Sequence, residues 1–560
     1  MARLDDLKRL GFAEQMRLLM EAHALLDPQD IPALLALAAD PLDDAAVDAM
    51  ARGVLRALLL AHPAHLARAL EHEHPQVRRA AVHAASSLNL AAPGAQEALH
   101  SLVALARQAP DHVAGTTPED RDELLLEALT ALAQLNLDML RQAGALPVFR
   151  TYMDHPDSLI SGVCLSMLGA LQDCESLPAL TALLDRFART GACCSELMCE
   201  APLWNAMDAL TDLATVQCPG ALEVLARHMR HPNATARRQV HDALAAQGER
   251  ALPLLLEALR QESDPDMTIM AVNLLGRIGH KRGVDAILDC LEHGRLASPN
   301  QRFSAYEALG RIPSLSGKMY LLGAWETEAD PAGCIALAQA LEQQYVPAMA
   351  QRIVAPVLNA TPERRARLLC ALASVSTPAM LEALYAEPVL REQLVEHVLA
   401  EGTPEALAQH RACLEAMGET VAAARLAARQ EALPAAGTRL RLLAIDDSAA
   451  MRSFYLGAGA GLGMEVAGAE HGQDGLGLLN AGEQIHCVVV DMNMPVMDGI
   501  TFVRHLRSRP AHRHLPVIMA TTESTVEQRE QAAQAGVDEF LRKPFTMHAL
   551  QSTIARLLHT

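Results

Sequence analysis

Three apolar runs near the end of the chain are each followed directly by side chains capable of chemistry. Leu440–Ile445 precedes the acids Asp446 and Asp447, Cys487–Val490 precedes Asp491, and Pro516–Ala520 precedes Thr521. Segments with helical patterns separate these runs, and strands that alternate with helices favour a parallel sheet covered on both faces. Ligands bind at the carboxyl ends of such strands. The sequence therefore places three carboxylates and a hydroxyl at one edge of a sheet.

Three neighbouring carboxylates repel one another and raise each other's pKa unless a cation joins them. Mg²⁺ suits this set, because it binds one or two carboxylates together with waters and phosphate oxygens. A carboxylate can also attack phosphorus and form an aspartyl-phosphate. Lys543 and Thr521 supply an ammonium group and a hydroxyl for the transferred group. We therefore predict a Mg²⁺-dependent, phosphoryl-accepting site.

An ordered set of motifs resembles the receiver domain of two-component response regulators, most closely the small chemotaxis-type receiver. The resemblance covers about residues 439–560 and implies an α/β doubly wound (βα)5 fold with a five-stranded parallel sheet. The motifs are Asp446-Asp447, Asp491 with the following loop that carries Pro495, Asp498 and Gly499, then Thr521, and Lys543-Pro544-Phe545.

By this resemblance, Asp491 takes the phosphoryl group from a phosphohistidine on a histidine kinase or a phosphotransfer protein. Asp447, Asp491 and the backbone carbonyl of Asn493 hold Mg²⁺, and Asp446 assists through water. The domain would catalyse only its own phosphorylation and dephosphorylation, so the chain is not expected to be an enzyme in any other sense.

The resemblance also implies a switch. Lys543 pairs with the phosphoryl oxygens, Thr521 moves to bond the phosphoryl group, and Phe540 follows it from exposed to buried. One residue departs from the family pattern, because Thr522 stands where a small residue is usual. We expect its bulk to narrow access to the aspartyl-phosphate and to slow transfer or hydrolysis.

Glycines interrupt the first helix of this region, at Gly457, Gly459, Gly461 and Gly463. Each glycine costs about 1 kcal/mol in a helix interior relative to alanine, so we expect the helix to be short or frayed at its C-terminal end. The spacing is not that of a G-x-G-x-x-G loop and no Walker lysine is present, so we predict no nucleotide site there.

The preceding 430 residues show an internal repeat of helix pairs. Prolines that open amphipathic stretches recur every 31 to 34 residues, and the segment 275–278 (LGRI) recurs at 309–312. Such a period indicates a stacked solenoid. About residues 40–425 resemble HEAT repeats, with armadillo-like stacking as the close alternative. The prolines are Pro232, Pro265, Pro299, Pro331 and Pro362.

The predicted organisation is an all-α solenoid of HEAT-like helix pairs over 1–430, a linker over 431–439 and a receiver domain over 440–560. Basic pairs in the repeats, Arg78-Arg79 and Arg237-Arg238, are expected to bond neighbouring turns, with a phosphate-binding role as the alternative. His74, His155 and His231 are interpreted as helix-entry turn residues and not as metal ligands.

Composition narrows the possible partners and compartment. The net charge of −20 disfavours nucleic acid, since an acidic surface repels phosphate backbones. No apolar run reaches the roughly 20 residues of a membrane span, and the N-terminus does not resemble a signal peptide. We expect a cytoplasmic protein without membrane insertion, in which the 11 cysteines are reduced thiols. The cluster Cys193, Cys194 and Cys199 lacks the pairing of a zinc site.

Three functions remain open from the sequence. The favoured one is a response regulator whose phosphorylation controls binding of an unidentified protein by the solenoid. The second is a constitutive scaffold in which the receiver serves as a phosphate sink or docking module. The third, by analogy with HEAT-like proteins that resemble bilin lyases, is an enzyme that would depend on the loose cysteine cluster.

Overall fold

Proline and small polar residues begin most helices of the repeats. The computed structural model describes residues 4–87, 94–108, 118–190, 197–261, 264–431, 440–521, 526–543 and 545–558, and these fall into two compact units that divide near residue 221. The helices of the first unit are α1 (Phe12–Leu25), α2 (Ile31–Ala39), α3 (Ala45–Ala61), α4 (Pro63–Leu70), α5 (Pro75–Ala85), α6 (Ala95–Gln108), α7 (Pro118–Ala133), α8 (Leu137–Gln142), α9 (Leu146–Tyr152), α10 (Ser158–Ala170), α11 (Leu177–Thr190) and α12 (Leu197–Thr215).

The second unit begins with further helix pairs and ends with an α/β domain. Its repeat helices are α13 (Ala221–Arg227), α14 (Ala234–Ala246), α15 (Leu252–Gln261), α16 (Pro265–Ile278), α17 (Lys281–Glu292), α18 (Pro299–Arg311), α19 (Leu315–Thr327), α20 (Pro331–Gln343), α21 (Ala350–Leu358), α22 (Pro362–Leu372), α23 (Pro378–Ala386), α24 (Pro388–Glu401), α25 (Pro404–Ala416) and α26 (Thr420–Glu431).

Four of the five predicted prolines lie where the repeat requires them, and Pro232 lies two residues before the first residue of α14. Pro265, Pro299, Pro331 and Pro362 are each the first residue of a helix, where the absent N–H has no intrahelical partner. Helices α14, α16, α18, α20 and α22 then pack successively in one layer, and α15, α17, α19 and α21 form a second. This two-layer stacking confirms the predicted all-α solenoid of helix pairs.

Two repeated glycines let adjacent helices of the first layer approach closely. A Cβ atom on Gly276 would lie 2.9 Å from Cα of Ala308, and one on Gly310 would lie 2.8 Å from Cα of Ala340. These glycines belong to the LGRI segment that the sequence repeats. Their recurrence therefore reflects backbone packing between α16, α18 and α20.

The Gly310→Ala substitution is expected to lower the free energy of unfolding by about 1–3 kcal/mol, because the added methyl group overlaps the backbone of α20. Gly323→Ala is the matched control. A Cβ atom at Gly323, inside α19, meets nothing within 4 Å, so alanine should stabilise by about 0.5–1 kcal/mol. Urea unfolding followed by circular dichroism measures both; stabilisation by Gly310→Ala would contradict the packing argument.

Two of the four basic residues singled out in the repeats, Arg78 and Arg237, bond the turn that precedes their helix, as predicted. Arg78 Nη1 donates to the carbonyls of His72 (2.7 Å) and Glu73 (2.9 Å), and Arg237 Nη1 donates to those of His231 (2.7 Å) and Pro232 (3.0 Å). The helix-entry histidines are also confirmed: Nδ1 of His155 accepts from Asp157 N, and Nδ1 of His231 from Asn233 N, each at 3.1 Å.

The α/β domain is a five-stranded parallel sheet in the order β2-β1-β3-β4-β5, which confirms the predicted doubly wound fold. Its interior strands β1, β3 and β4 are almost entirely buried. The elements are β1 (Arg441–Ile445), α27 (Ala449–Gly461), β2 (Glu465–Ala469), α28 (Gly472–Asn480), β3 (Cys487–Asp491), α29 (Gly499–Arg507), β4 (Val517–Thr521), α30 (Val526–Ala535), β5 (Glu539–Arg542) and α31 (Met547–Leu558).

Two expectations from the sequence are wrong. Helix α27 continues to Gly461 and is not shortened, and one of its glycines permits close packing: a Cβ atom on Gly459 would lie 2.2 Å from Cγ2 of Val466 in β2. Not all cysteines are free thiols either, since Cys174 and Cys218 are joined as a disulfide with Cα atoms 5.6 Å apart. The predicted linker falls almost wholly on residues 432–439, which lie outside the described residues, as do Cys193 and Cys194.

Within the described residues, no helix combines the length and the apolar character that crossing a membrane would require.

Candidate functional site

The carboxyl ends of β1 and β3 lie side by side and bring two predicted acids together. Ile445 pairs with Val490 in the sheet, so Asp446 and Asp491 follow at the same edge. Lys543, directly after β5, reaches both: its Nζ donates to Asp446 Oδ2 and to Asp491 Oδ1, each at 2.7 Å. Asp446, Asp491 and Lys543 thus form one contiguous group.

Burial and mutual repulsion raise the pKa values of these carboxylates. Asp446 is 1% and Asp491 is 7% exposed. Burial raises the pKa of Asp491, Lys543 opposes the rise, and the charges of Asp446 and Asp447 add to it, so that the pKa stands at about 7. Lys543 is held charged, because Asp446 and Asp491 outweigh the effect of its burial and raise its pKa.

Asp447 stands apart from the lysine, with an exposed side chain. The protein atoms around its carboxyl group still desolvate it, and with the charges of Asp446 and Glu307 they raise its pKa to about 6. Asp447 therefore ionises less readily than a free aspartate, and a nearby cation would favour its ionised form.

Tyr455 is a member of the site that sequence reasoning missed. Its hydroxyl donates to Asp446 Oδ2 at 3.1 Å, and its ring stacks on Phe545 with centroids 6.3 Å apart. Ser448 caps α27 by accepting from Met451 N, which fixes the direction of the helix and turns Tyr455 inward. The available signal was an aromatic pair, Phe454 and Tyr455, two turns into a helix that follows two acids.

The loop after β3 is held in shape by its own backbone bonds. Asn493 N donates to Asp491 Oδ2 at 2.9 Å, and Gly499 N donates to the carbonyl of Met492 at 3.0 Å. A Cβ atom on Gly499 would lie 2.3 Å from the carbonyl oxygen of Asp491, which accounts for glycine there. Asp498, fully buried, caps α29 by accepting from Thr501 N.

The predicted switch residues lie on adjacent strands. Thr521 ends β4 beside Asp491, is fully buried, and accepts the N–H of Lys543 through its carbonyl at 2.7 Å. Phe540 in β5 is half-buried, with the guanidinium carbon of Arg529 5.5 Å from the centroid of its ring. Thr522 and Pro544 lie outside the described residues.

Repeat helices supply the opposite wall of the cleft above these acids. Arg237 of α14 and Glu307 of α18 face it, together with the apolar side chains of Met270 and Phe303. Sequence reasoning missed Glu307 entirely. It also assigned Arg237 and Arg238 to contacts within the solenoid, whereas both also bond the loop after Asp491.

The side chains and carbonyls at this edge of the sheet offer oxygen atoms, which are the type of ligand that Mg²⁺ prefers. Among the described residues no three acids, histidines or cysteines are already arranged as a metal cluster; Asp446 and Asp491 are instead drawn onto Lys543. Mg²⁺ needs only one or two carboxylates, with water and carbonyl oxygen completing its shell. Asp491, the exposed Asp447 and the carbonyl of Asn493 meet that requirement.

Comparisons with known proteins match two parts of the chain. Residues 442–555 match the family of the response regulator receiver domain, and residues 252–342 match HEAT repeats. The chain is 34% identical over 122 residues to the chemotaxis protein CheY homolog of Campylobacter jejuni, across 22% of this chain and 94% of that protein. It is 36% identical over 119 residues to the chemotaxis protein CheY of Pseudomonas aeruginosa, across 21% of this chain and 95% of that protein.

Among solved structures, the chemotaxis protein CheY4 of Vibrio cholerae, crystallised in a low pH condition, is similar over 22% of this chain and 100% of its own. The sequence identity is 30% and the TM-score is 0.21.

Proposed function

Because this chain belongs to the response regulator receiver family through residues 442–555, we propose that Asp491 is its phosphoryl acceptor and that the phosphorylation state controls protein binding by the helical repeats. The observation that carries the proposal is Lys543 Nζ, 2.7 Å from both Asp446 and Asp491 at the carboxyl edge of the sheet. A buried ammonium group there stands ready to neutralise an incoming phosphoryl group.

The proposed transfer begins from a phosphohistidine on a histidine kinase or phosphotransfer protein. A carboxylate oxygen of Asp491 forms a P–O bond while the P–N bond to the donor imidazole breaks. The departing nitrogen keeps the bonding pair and takes up a proton from water. Lys543 exchanges its contact with Asp491 for one with a phosphoryl oxygen, so its charge stays paired throughout.

Mg²⁺ would be held by Asp447, Asp491 and the backbone carbonyl of Asn493, with Asp446 assisting through water, and would neutralise charge on the transferring group. Tyr455 keeps Asp446 in place through its hydroxyl. Thr521 and Phe540 are proposed as the residues that respond, Thr521 by bonding the phosphoryl group and Phe540 by filling the space behind it.

Labelling with a small phosphoryl donor tests the acceptor. The full chain incubated with phosphoramidate and Mg²⁺ is expected to gain one phosphoryl group that hydroxylamine removes, with tandem mass spectrometry locating it on Asp491. EDTA should suppress the reaction. A label on a histidine, or none in the presence of Mg²⁺, would contradict the proposal.

A binding experiment tests whether phosphorylation controls which proteins the repeats bind. Proteins retained by the immobilised full chain with phosphoramidate and Mg²⁺ are compared with those retained without the donor and by Asp491→Asn. We expect at least one partner whose retention follows the phosphorylated state. Identical binding in all three cases would instead favour a constitutive scaffold.

A further inference from the structure

Helix α14 packs against the loop that follows Asp491 and forms hydrogen bonds with it. Thr235 Oγ1 donates to Asp498 Oδ2 at 3.0 Å, and Arg238 Nη1 donates to the carbonyl of Val496 at 2.7 Å. Arg237 Nη2 donates to Asn493 Oδ1 at 3.0 Å, only two residues beyond the proposed acceptor. Ala234, 4% exposed, belongs to the same buried apolar cluster as Met492 and Met494. This side of the site is therefore closed by helix-to-loop contact.

Helices α18 and α20 hold the other side. Ser448, next to Asp447, donates through Oγ to Glu307 Oε1 at 2.6 Å. Gln339 Nε2 of α20 donates to Ser453 Oγ at 2.8 Å and to the carbonyl of Ala449 at 3.2 Å. The start of α27 and the loop before it are thus tied to two successive repeats.

These two sets of contacts bracket the acids and leave a cleft between them. The cleft has a volume of about 150 Å³ and is partly open to solvent, and it is bounded by Arg237, Phe303 and Glu307 on one side and by Asp491 and Lys543 on the other. That space accommodates a small molecule. A helix of a protein donor, with its side chains, is about 10–12 Å across. To reach Asp491 it would have to enter where hydrogen bonds already join the two walls of the cleft.

We propose that α14, α18 and α20 form a gate that admits small phosphoryl donors to Asp491 and excludes a phosphohistidine carried on a folded protein until the receiver undocks. This inference rests on the proposed function of Asp491. The gate selects by size, because both kinds of donor present the same P–N bond and differ only in what surrounds it.

Docking then sets the rate of transfer from a protein donor through the fraction of molecules that are undocked. The apparent affinity for a ligand falls in proportion to the fraction of molecules in the competent state. The rate of transfer from a protein donor should therefore be proportional to the undocked fraction. A variant that raises this fraction about tenfold should raise the rate about tenfold, until all molecules are undocked.

The test compares two donors of the same chemistry on the full chain. One is phosphoimidazole; the other is a phosphohistidine on a folded histidine phosphotransfer protein, taken from a panel of such proteins. The gate variant is Ala234→Glu, which keeps a good residue for a first helical turn but forces a charged side chain into the buried cluster. The control is Ala379→Glu, an exposed position in the first turn of α23.

We expect Ala234→Glu to accept the phosphoryl group from at least one protein donor about tenfold faster than wild type or more, with the rate from phosphoimidazole unchanged. Ala379→Glu should match wild type with both donors. Equal rates from protein donors in all forms, or no transfer to Ala234→Glu from any member of the panel, would overturn the gate.

A second variant distinguishes undocking from local unfolding caused by the buried charge. Gln339→Ala removes the two hydrogen bonds from α20 and no buried apolar group, and Gln351→Ala on the exposed face of α21 is its control. Gln339→Ala should shift the protein-donor rate in the same direction, and a rate equal to that of its control would count against the gate. No labelling of Asp491 by phosphoimidazole in any form would contradict the proposed function itself, and the gate with it.

Discussion

Asp491→Asn is expected to abolish uptake of a phosphoryl group from phosphoimidazole, with the fold unchanged. The amide oxygen can accept the hydrogen bond that Lys543 donates to Asp491 Oδ1, whereas the amide NH2 group in place of Oδ2 cannot accept from Asn493 N. The amide is not a nucleophile toward phosphorus. Asp446 is no substitute, because it is 1% exposed and already bonded to Lys543 and Tyr455. Intact-mass measurement after incubation with the donor and Mg²⁺ reads the result.

Asp447→Asn is the matched variant, since it changes the neighbouring exposed acid to the same amide. If Asp447 holds Mg²⁺ and Asp491 is the acceptor, Asp447→Asn should slow labelling and recover part of the rate at high Mg²⁺ concentration. Asp491→Asn should not recover at any concentration. A phosphoryl group found on Asp447 or Asp446 in the Asp491→Asn variant would contradict the assignment.

Without metal, Asp491→Asn is expected to be more stable than wild type at pH 7.5, and the advantage should shrink toward pH 5. The pKa of Asp491 is raised to about 7 from 3.8, so the folded state binds more protons than the unfolded state between these values. Wild-type stability is therefore lost as pH rises through this window. At 1.36 kcal/mol per pKa unit, the difference is no more than about 4 kcal/mol.

Hydrogen exchange of the β3 amides in EDTA measures this difference locally, so unfolding elsewhere in the chain does not obscure it. Glu530→Gln, a carboxyl-to-amide change at an exposed position of α30, is the control and should show no such pH dependence. At saturating Mg²⁺ the wild type should be the more stable of the two proteins, because Mg²⁺ binds the folded wild type more tightly than it binds Asp491→Asn. A difference between Asp491→Asn and wild type that is equal at both pH values would contradict the raised pKa.

The sheet and the grouping of its acids were predictable because each depends on local sequence. Apolar runs that end in Asp446, Asp491 or Thr521 are sufficient to put those residues at one edge, whatever the helices between them do. The repeat was predictable for a similar reason, since proline and a preceding polar residue begin a helix without help from distant parts of the chain.

What the sequence did not reveal depends on packing between distant segments. The glycines of α27 suggested a break in the helix, but the helix continues through them, and contact with Val466 explains Gly459. Glu307 carries no motif and becomes part of the site only because α18 lies against the loop of Ser448. Arg237 donates both to the carbonyl of His231 within the repeats and to Asn493 in the receiver. The sequence indicated the first contact, which is local, and not the second.

The contact between Thr235 and Asp498 joins residues that are 263 positions apart in the chain. Ribosomes add roughly 5–20 residues per second, so α14 is complete roughly 10–50 seconds before the loop that covers it has been made. The repeats must therefore fold and remain soluble with this surface bare. Closing the contact is a late event in the life of each newly synthesised molecule, after both partners already have their structures.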